Sequence, residues 1–373
     1  MSIRTGQHFV RMKSVLIIQT AFVGDVLLST VLFENIKHSY PDASIDFLVK
    51  KGNESLLENH PFVNKVLQWD KKNGKYRNLF QLLKYIRKQR YDLVLNVQRF
   101  AATGILAAFS GAKRIIGYDK NPLSFLFHQR VKHKIGPDHS DMHETTRCNA
   151  LLELVVPTPI TKPSIYPTPD DYMAIAPYTS EPYLVIAPGS VWFTKQVPLQ
   201  KWISIINRLP GDLPIYLIGS EKEDAIASAL IESLPHRGQI HNLTGKLSFL
   251  QSAALMRGAV FNLVNDSAPL HLASAVDAPV IALYCSTSPV FGFTPLSTES
   301  HVIEVEEALP CRPCGLSGKP ACPEKHFNCA NRLNELKITQ IVWDKLSRMG
   351  QPAKVDQASP AKRSYLTLEQ TIY

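Results

Sequence analysis

The chain has 373 residues, 45% of them hydrophobic, and a net charge of +9. That is too long for one ordinary core and suits two domains at roughly 150 residues each. No apolar run approaches the roughly 20 residues of a membrane span, and Met1 to Lys13 is polar and basic with no leader-like apolar run behind it, which points to the cytoplasm. The charge is uneven: residues 1–150 hold 23 Lys and Arg against 12 Asp and Glu, whereas residues 151–373 hold 18 against 20. An anionic partner is therefore drawn to the first half.

Val15-Leu16-Ile17-Ile18 reads as a buried strand over 14–18, and Val26, Leu27, Val31, Leu32 and Ile36 recur at helical spacing over 26–38. Between them Gly24-Asp25 forms a strand-to-helix turn with Asp25 as N-cap. Such turns lie at the carboxyl edge of a parallel sheet, where open α/β folds bind ligands, so a chemical role for Asp25 stands beside the capping one. Ile45–Val49 follows as a strand, 53–59 as a short helix, 78–90 as a helix and Leu93–Val97 as a strand. This alternation predicts a parallel sheet with crossover helices. The cations at Lys84, Arg87, Lys88 and Arg90 suit either a solvated helix face or an anion-binding one.

Seven prolines between Val156 and Pro182 read as a linker, after which the rhythm restarts. Strands are expected at Tyr183–Ala187, Ile215–Ile218, Val260–Val264 and Val280–Tyr284, with helices at 199–209, 222–233, 248–256 and 267–276 and a closing helix at 338–349. The expected organisation is an extension at 1–12, an α/β domain at 13–160, a linker at 161–182, a second α/β domain at 183–349 and a polar, poorly ordered tail at 350–373.

Three strand ends in the second half concentrate polar groups. In "APGSVWFTKQVP" a glycine permits close approach of a ligand, and Ser190, Thr194 and Lys195 suit phosphate oxygens, although the spacing is not that of a P-loop. In "LIGSEKED" Glu221 and Glu223 suit ribose hydroxyls or, equally, a helix N-terminus. In "NLVNDSAPLHLASA" Asn265, Asp266 and Ser267 open a helix whose free amides attract anions, with His271 one turn inside as either a site or a core residue. The stretch Cys311-x2-Cys314-x7-Cys322-x6-Cys329 admits a structural zinc, but its second pair is not a CxxC, so free thiols stand as the alternative. It is expected to be structural and remote from the chemistry. Cys148 and Cys285 sit in apolar contexts as small core residues.

Taken together, "GDVLLSTVLFENIK", "APGSVWFTKQVP", "NDSAPLHLASA" and "PVIALYCSTSP" resemble the ADP-heptose:lipopolysaccharide heptosyltransferase family, over about Lys13 to Met349. The cysteine stretch resembles one found in heptosyltransferase II-type members. The resemblance implies a GT-B fold, two Rossmann-like α/β domains with a cleft between them, the acceptor on the first and the nucleotide-sugar on the second. It implies Asp25 as catalytic acid residue of the GD turn, acting as general base, and Lys195 as the phosphate-contacting lysine. Donor contacts are implied at Ser190, Thr194, Lys195, Glu223 or Glu221, Asn265, Asp266, Ser267, Ala268 and His271, and acceptor contacts at Gly24 and Arg99. Ala268 departs from the glycine usual there. The implied reaction is inverting transfer of heptose from ADP-heptose to an anionic lipopolysaccharide core, at the cytoplasmic face of the inner membrane through peripheral contact, with no required cofactor. Two rivals remain: another nucleotide-sugar or acceptor on the same fold, and a non-catalytic anion- or nucleic-acid-binding module. Against the latter, no RNP or helix-turn-helix pattern appears, so no nucleic-acid partner is expected.

Overall fold

The computed structural model describes residues 12–350 apart from 137, 139–141, 154 and 156–161. The expected extension and tail lie outside the described residues, except Met12 and Gly350.

Short β-branched runs form the strands, and burial on both faces selects parallel pairing. In the first sheet, β1 (Ser14–Ile18), β2 (Ser44–Lys50), β3 (Lys65–Trp69), β4 (Leu93–Asn96), β5 (Arg114–Tyr118) and β6 (Gln129–Val131) pair in the order β3-β2-β1-β4-β5-β6. Every pairing is parallel, with Val15 opposite both Ile45 and Leu93. In the second, β7 (Leu184–Ala187), β8 (Ile215–Leu217), β9 (Ile240–Asn242), β10 (Phe261–Asn265), β11 (Val280–Tyr284) and β12 (Ser300–Glu304) pair in the order β12-β11-β10-β7-β8-β9, again all parallel. Both sheets reverse their strand order between the first and fourth strands, and at such a switch point the loops at the carboxyl ends part to leave a crevice.

The helices of the first half are α1 (Val23–Ser29), α2 (Val31–Ser39), α3 (Lys75–Gln89), α4 (Ala101–Ala108) and α5 (Glu144–Ala150). Those that follow are α6 (Pro169–Ile175), α7 (Leu199–Asn207), α8 (Asp224–Glu232), α9 (Phe249–Gly258), α10 (Ala268–Ala275), α11 (Asn328–Asn331) and α12 (Glu335–Met349). The helix expected over 26–38 is two segments. They meet at Thr30, whose amide bonds back to Leu27 O at 3.1 Å while its hydroxyl donates to the same carbonyl at 2.7 Å. Asp25 is not the N-cap. It is the third residue of α1, Phe22 is the N-cap, and the Asp25 carboxylate accepts the Phe22 N–H at 3.2 Å. The helix expected over 53–59 is one 3-10 turn at Glu54–Leu57.

The proline-rich stretch carries structure. Thr168 and Asp171 exchange capping bonds around Pro169 to start α6, which packs on α9. Upstream, Ser164 N–H donates to Thr30 Oγ1 and Ile165 N–H to Ala275 O, so this strand of chain is tied to both halves. The halves also meet directly where α1 packs on α10, and one apolar cluster runs from Val26 and Leu27 to Leu270 and Ala273. A β-carbon on Gly24 would stand 2.8 Å from His271 Cδ2, so only glycine allows this approach.

Candidate active site

A cleft of about 360 Å³ lies between the two carboxyl edges. Its walls come from both switch points: Gln19 to Asp25 after β1, Val97 to Phe100 after β4, Ser190 to Lys195 after β7, and Asp266 to His271 after β10. On the first half, the turn bearing Arg99 is fixed by a buried amide network. Gln98 Oε1 accepts from Thr20 Oγ1 at 2.7 Å, Gln98 Nε2 donates to Gln19 Oε1 at 2.8 Å, and Asn121 Nδ2 donates to the Gln98 and Phe100 carbonyls at 3.0 Å each.

Asp25 lines this cleft beneath exposed Arg99. Its carboxyl is held above the usual carboxylate range because the cleft removes water, against the opposing pull of the Phe22 and Asp25 amides and the charges of Lys195 and Arg99. Lys195 Nζ lies 2.8 Å from Asp266 Oδ2, with side chains only 14% and 8% exposed. The same oxygen accepts from Thr287 Oγ1 at 2.6 Å. Asp266 thus holds Lys195 in the cleft wall and balances its charge. His271, buried between Gly24 and this pair, is pushed down to about 3 by burial and stands neutral, its Nδ1 without a hydrogen-bond partner among the described residues.

Of the residues singled out from sequence, Gly24, Asp25, Arg99, Ser190, Lys195, Asp266, Ser267, Ala268 and His271 line the cleft. Thr194 and Asn265 do not; they build its walls. Asn265 is buried, its amide donating to the Pro188 and Gly189 carbonyls at 2.8 and 3.0 Å and accepting the Val197 N–H at 3.1 Å, which fixes the loop after β7. Thr194 Oγ1 accepts from Ser286 Oγ at 2.9 Å and from Lys319 N–H at 2.7 Å. Glu223 sits behind the loop against Gly189, its Oε2 accepting the Ser220 N–H at 2.7 Å and hydroxyl at 2.9 Å. Glu221 is exposed and outside the cleft lining.

The expectation that the cysteine stretch is remote from the site is overturned. Leu316 and Ser317 line the cleft, Cys314 N–H donates to Ser286 O at 2.8 Å, and Gly318 lies on the Lys195 stem. Its four thiols are neighbours: burial first, and the other three cysteines after it, raise the Cys329 thiol, and burial followed by Cys311 and Cys322 raises Cys314. Cys329 packs in the core of the second half, Cys314 Sγ turns to the Cys311 carbonyl at 3.2 Å, and Cys311 Sγ is 3.8 Å from His326 Nε2. No group of three or more His, Cys, Asp or Glu side chains is arranged for a metal ion among the described residues. Cys148 and Cys285 are buried, as their apolar surroundings imply.

Sequence reasoning missed His133 and the Glu144–Arg147 pair. Glu144 lines the cleft, accepts from Arg147 Nε at 2.5 Å and is raised by burial. The Arg147 guanidinium also donates to Met142 O at 2.6 Å and to Phe291 O at 2.8 Å, fastening the halves behind the cleft. His133 lines the cleft, its Nδ1 without a hydrogen-bond partner among the described residues, and is pushed down to about 4, by burial first and nearby cations second. The only signal for them was three polar residue types in a chain region with no recognised motif.

Two Rossmann-like halves with a cleft between their switch points are the GT-B architecture. A model of glycosyltransferase family 9 (heptosyltransferase) matches residues 79–321, and the chain belongs to that family. It is 27% identical over 318 residues to lipopolysaccharide heptosyltransferase 1 of Pseudomonas aeruginosa, covering 80% of this chain and 85% of that protein. It is 26% identical over 281 residues to lipopolysaccharide heptosyltransferase 3 of Escherichia coli, covering 72% and 83%. Its fold is similar to that of E. coli ADP-heptose LPS heptosyltransferase II, with a TM-score of 0.74, 20% identity and coverage of 91% of this chain and 100% of that one.

Proposed function

We propose that the protein transfers heptose from ADP-heptose to the inner core of lipopolysaccharide with inversion at the anomeric carbon. The observation that carries this reading is the placement of Asp25 and Lys195 on opposite walls of one cleft. Residues 13–160 act as the acceptor domain and 183–349 as the donor domain, with 161–182 between them. Asp25 takes the proton from an acceptor hydroxyl as its oxygen attacks the anomeric carbon, and the bond from that carbon to the diphosphate oxygen breaks on the opposite face. The charge released on ADP falls to Lys195 and to the free amides at the start of α10, beside Ser267 and Ala268. Lys195 exchanges Asp266 for the diphosphate, while Ser190 and His271 border the sugar, Glu223 serves the nucleoside, and Gly24 and Arg99 serve the acceptor side. The basic first half suits an acceptor bearing carboxylates and phosphates, met at the cytoplasmic face of the inner membrane.

A thermal-shift panel of ADP-heptose, other ADP-sugars and UDP-sugars tests the donor. At 100 times its Kd the true donor adds about 2.7 kcal/mol of stability. Release of ADP and appearance of the α- or β-linked product on a heptose-deficient core acceptor tests the transfer. Stabilisation by a UDP-sugar but not by ADP-heptose overturns the donor.

A further inference from the structure

The first half carries a surface that the chemistry above does not use. Because β1 to β6 all run parallel, the turns that follow them gather at one edge of the sheet, the edge on which the cleft opens. Four of those turns expose large apolar side chains. Tyr76 and Phe80, 68% and 66% exposed, stand four residues apart on one face of the first turns of α3. Phe125, 68% exposed, follows β5. Phe22 and Phe100 join these groups across the cleft mouth, each 62% exposed. Scattered single aromatics on a surface are ordinary, but several on one edge are not.

Cations are interleaved with them. Lys72, Lys75 and Arg77 follow β3, Lys120 follows β5, and Lys132 follows β6, all exposed. The acid among residues 70–77, Asp70, is already engaged by Lys51 at 3.4 Å and by the N–H groups of Lys72 and Asn73 at 2.9 Å each. Aromatic rings settle at the headgroup level of a bilayer, and exposed Lys and Arg are drawn to anionic headgroups. No helix among the described residues is long and apolar enough to cross a membrane, so a surface of this kind meets the headgroup layer from outside.

We propose that this rim docks the protein on an anionic bilayer, with the cleft mouth against the headgroups, so that a lipid-anchored acceptor reaches Asp25 without leaving the membrane. The proposal rests on the acceptor assigned above. It makes the carboxyl edge of the first sheet the contact, and not the more densely charged far end of α3 at Arg87, Lys88 and Arg90.

Sedimentation with vesicles of phosphatidylcholine alone, and of phosphatidylcholine mixed equally with phosphatidylglycerol, tests it on the full chain. Binding is expected to the anionic vesicles and to be released by salt. Tyr76→Ser with Phe80→Ser, and separately Lys72→Glu with Arg77→Glu, should each weaken that binding by about tenfold or more. Arg87→Glu with Lys88→Glu should leave it unchanged. Both rim variants should match wild-type turnover on deacylated, water-soluble core oligosaccharide and fall behind it on the same acceptor held in vesicles. Absence of binding to anionic vesicles, equal loss in the far-end variant, or preference for single-stranded nucleic acid over vesicles overturns the proposal. Vesicle binding as expected, with no turnover on the soluble acceptor even by the wild type, overturns the acceptor assignment instead and leaves the docking face standing.

Discussion

Asp25 separates capping from catalysis. As the third residue of α1 it accepts the Phe22 N–H, a bond that Asn can also accept, and its raised pKa means that ionising it in the cleft costs stability at neutral pH. Asp25→Asn is therefore expected to hold or raise the melting temperature while lowering turnover by about 10²–10⁴. A lower melting temperature with intact turnover would leave capping as its role. Catalysis by this carboxylate needs the ionised form, so kcat/KM should fall as pH drops through a value above the ordinary 3.8, and the Asn variant should lose that limb. With Lys195 on the donor phosphate as proposed, Lys195→Ala is expected to cost roughly 1.5–3 kcal/mol of donor binding and to strand Asp266 with its bond from Thr287. Pairing it with Asp266→Asn relieves the stranded charge. If the double variant regains stability but not ADP affinity by calorimetry, the loss belongs to the phosphate contact; full recovery of ADP affinity would refute that contact.

At the scale of the element, the loop from Cys311 to Cys329 changes meaning most between sequence and structure. Its spacing admitted a structural zinc remote from the chemistry, yet Thr194, Ser286 and Lys319 bind it into the wall of the cleft. Gly318 has φ +83°, and a β-carbon there would lie 2.8 Å from Lys195 Cγ. Gly318→Ala is expected to displace the Lys195 stem and raise the KM for the donor several-fold, with a stability cost of about 1 kcal/mol. An unchanged KM, measured beside the melting temperature, would show that the loop does not position Lys195. Strands β1, β2, β4, β7, β8, β10 and β11 were legible because each is mainly a run of buried apolar residues. The edge strands β3, β6, β9 and β12 were not, because an exposed side leaves them polar, and neither was the buried β5, whose apolar run is broken by Gly117. Helix α6 hid among prolines, although Thr168-Pro169 with Asp171 is a start signal in itself.

For the whole molecule, acid stability follows from buried histidines. His60 and His133 are pushed down to about 4 and His271 to about 3, each by burial. The unfolded chain takes up these protons first, near pH 6.5, so the histidines' contribution to stability is complete above that value and is lost as pH drops from 6.5 towards 4. His60 packs against Phe33 and Tyr166, outside the cleft lining, so His60→Gln should flatten the acid limb in melting-temperature scans without changing turnover. The sequence by itself determined the alternation of strand and helix, the division into two α/β halves and the polar strand ends, since apolar periodicity and turn chemistry act between near neighbours in the chain. It also carried Asp25, Lys195 and Asp266 as candidates. Only the tertiary structure decided that Gly24 meets His271, that Asp266 holds Lys195, and that Glu144 and His133 share their cleft with a loop some 170 residues further on. Those contacts join parts of the chain that no local pattern relates, and they exist because packing α1 on α10 brings two switch points face to face.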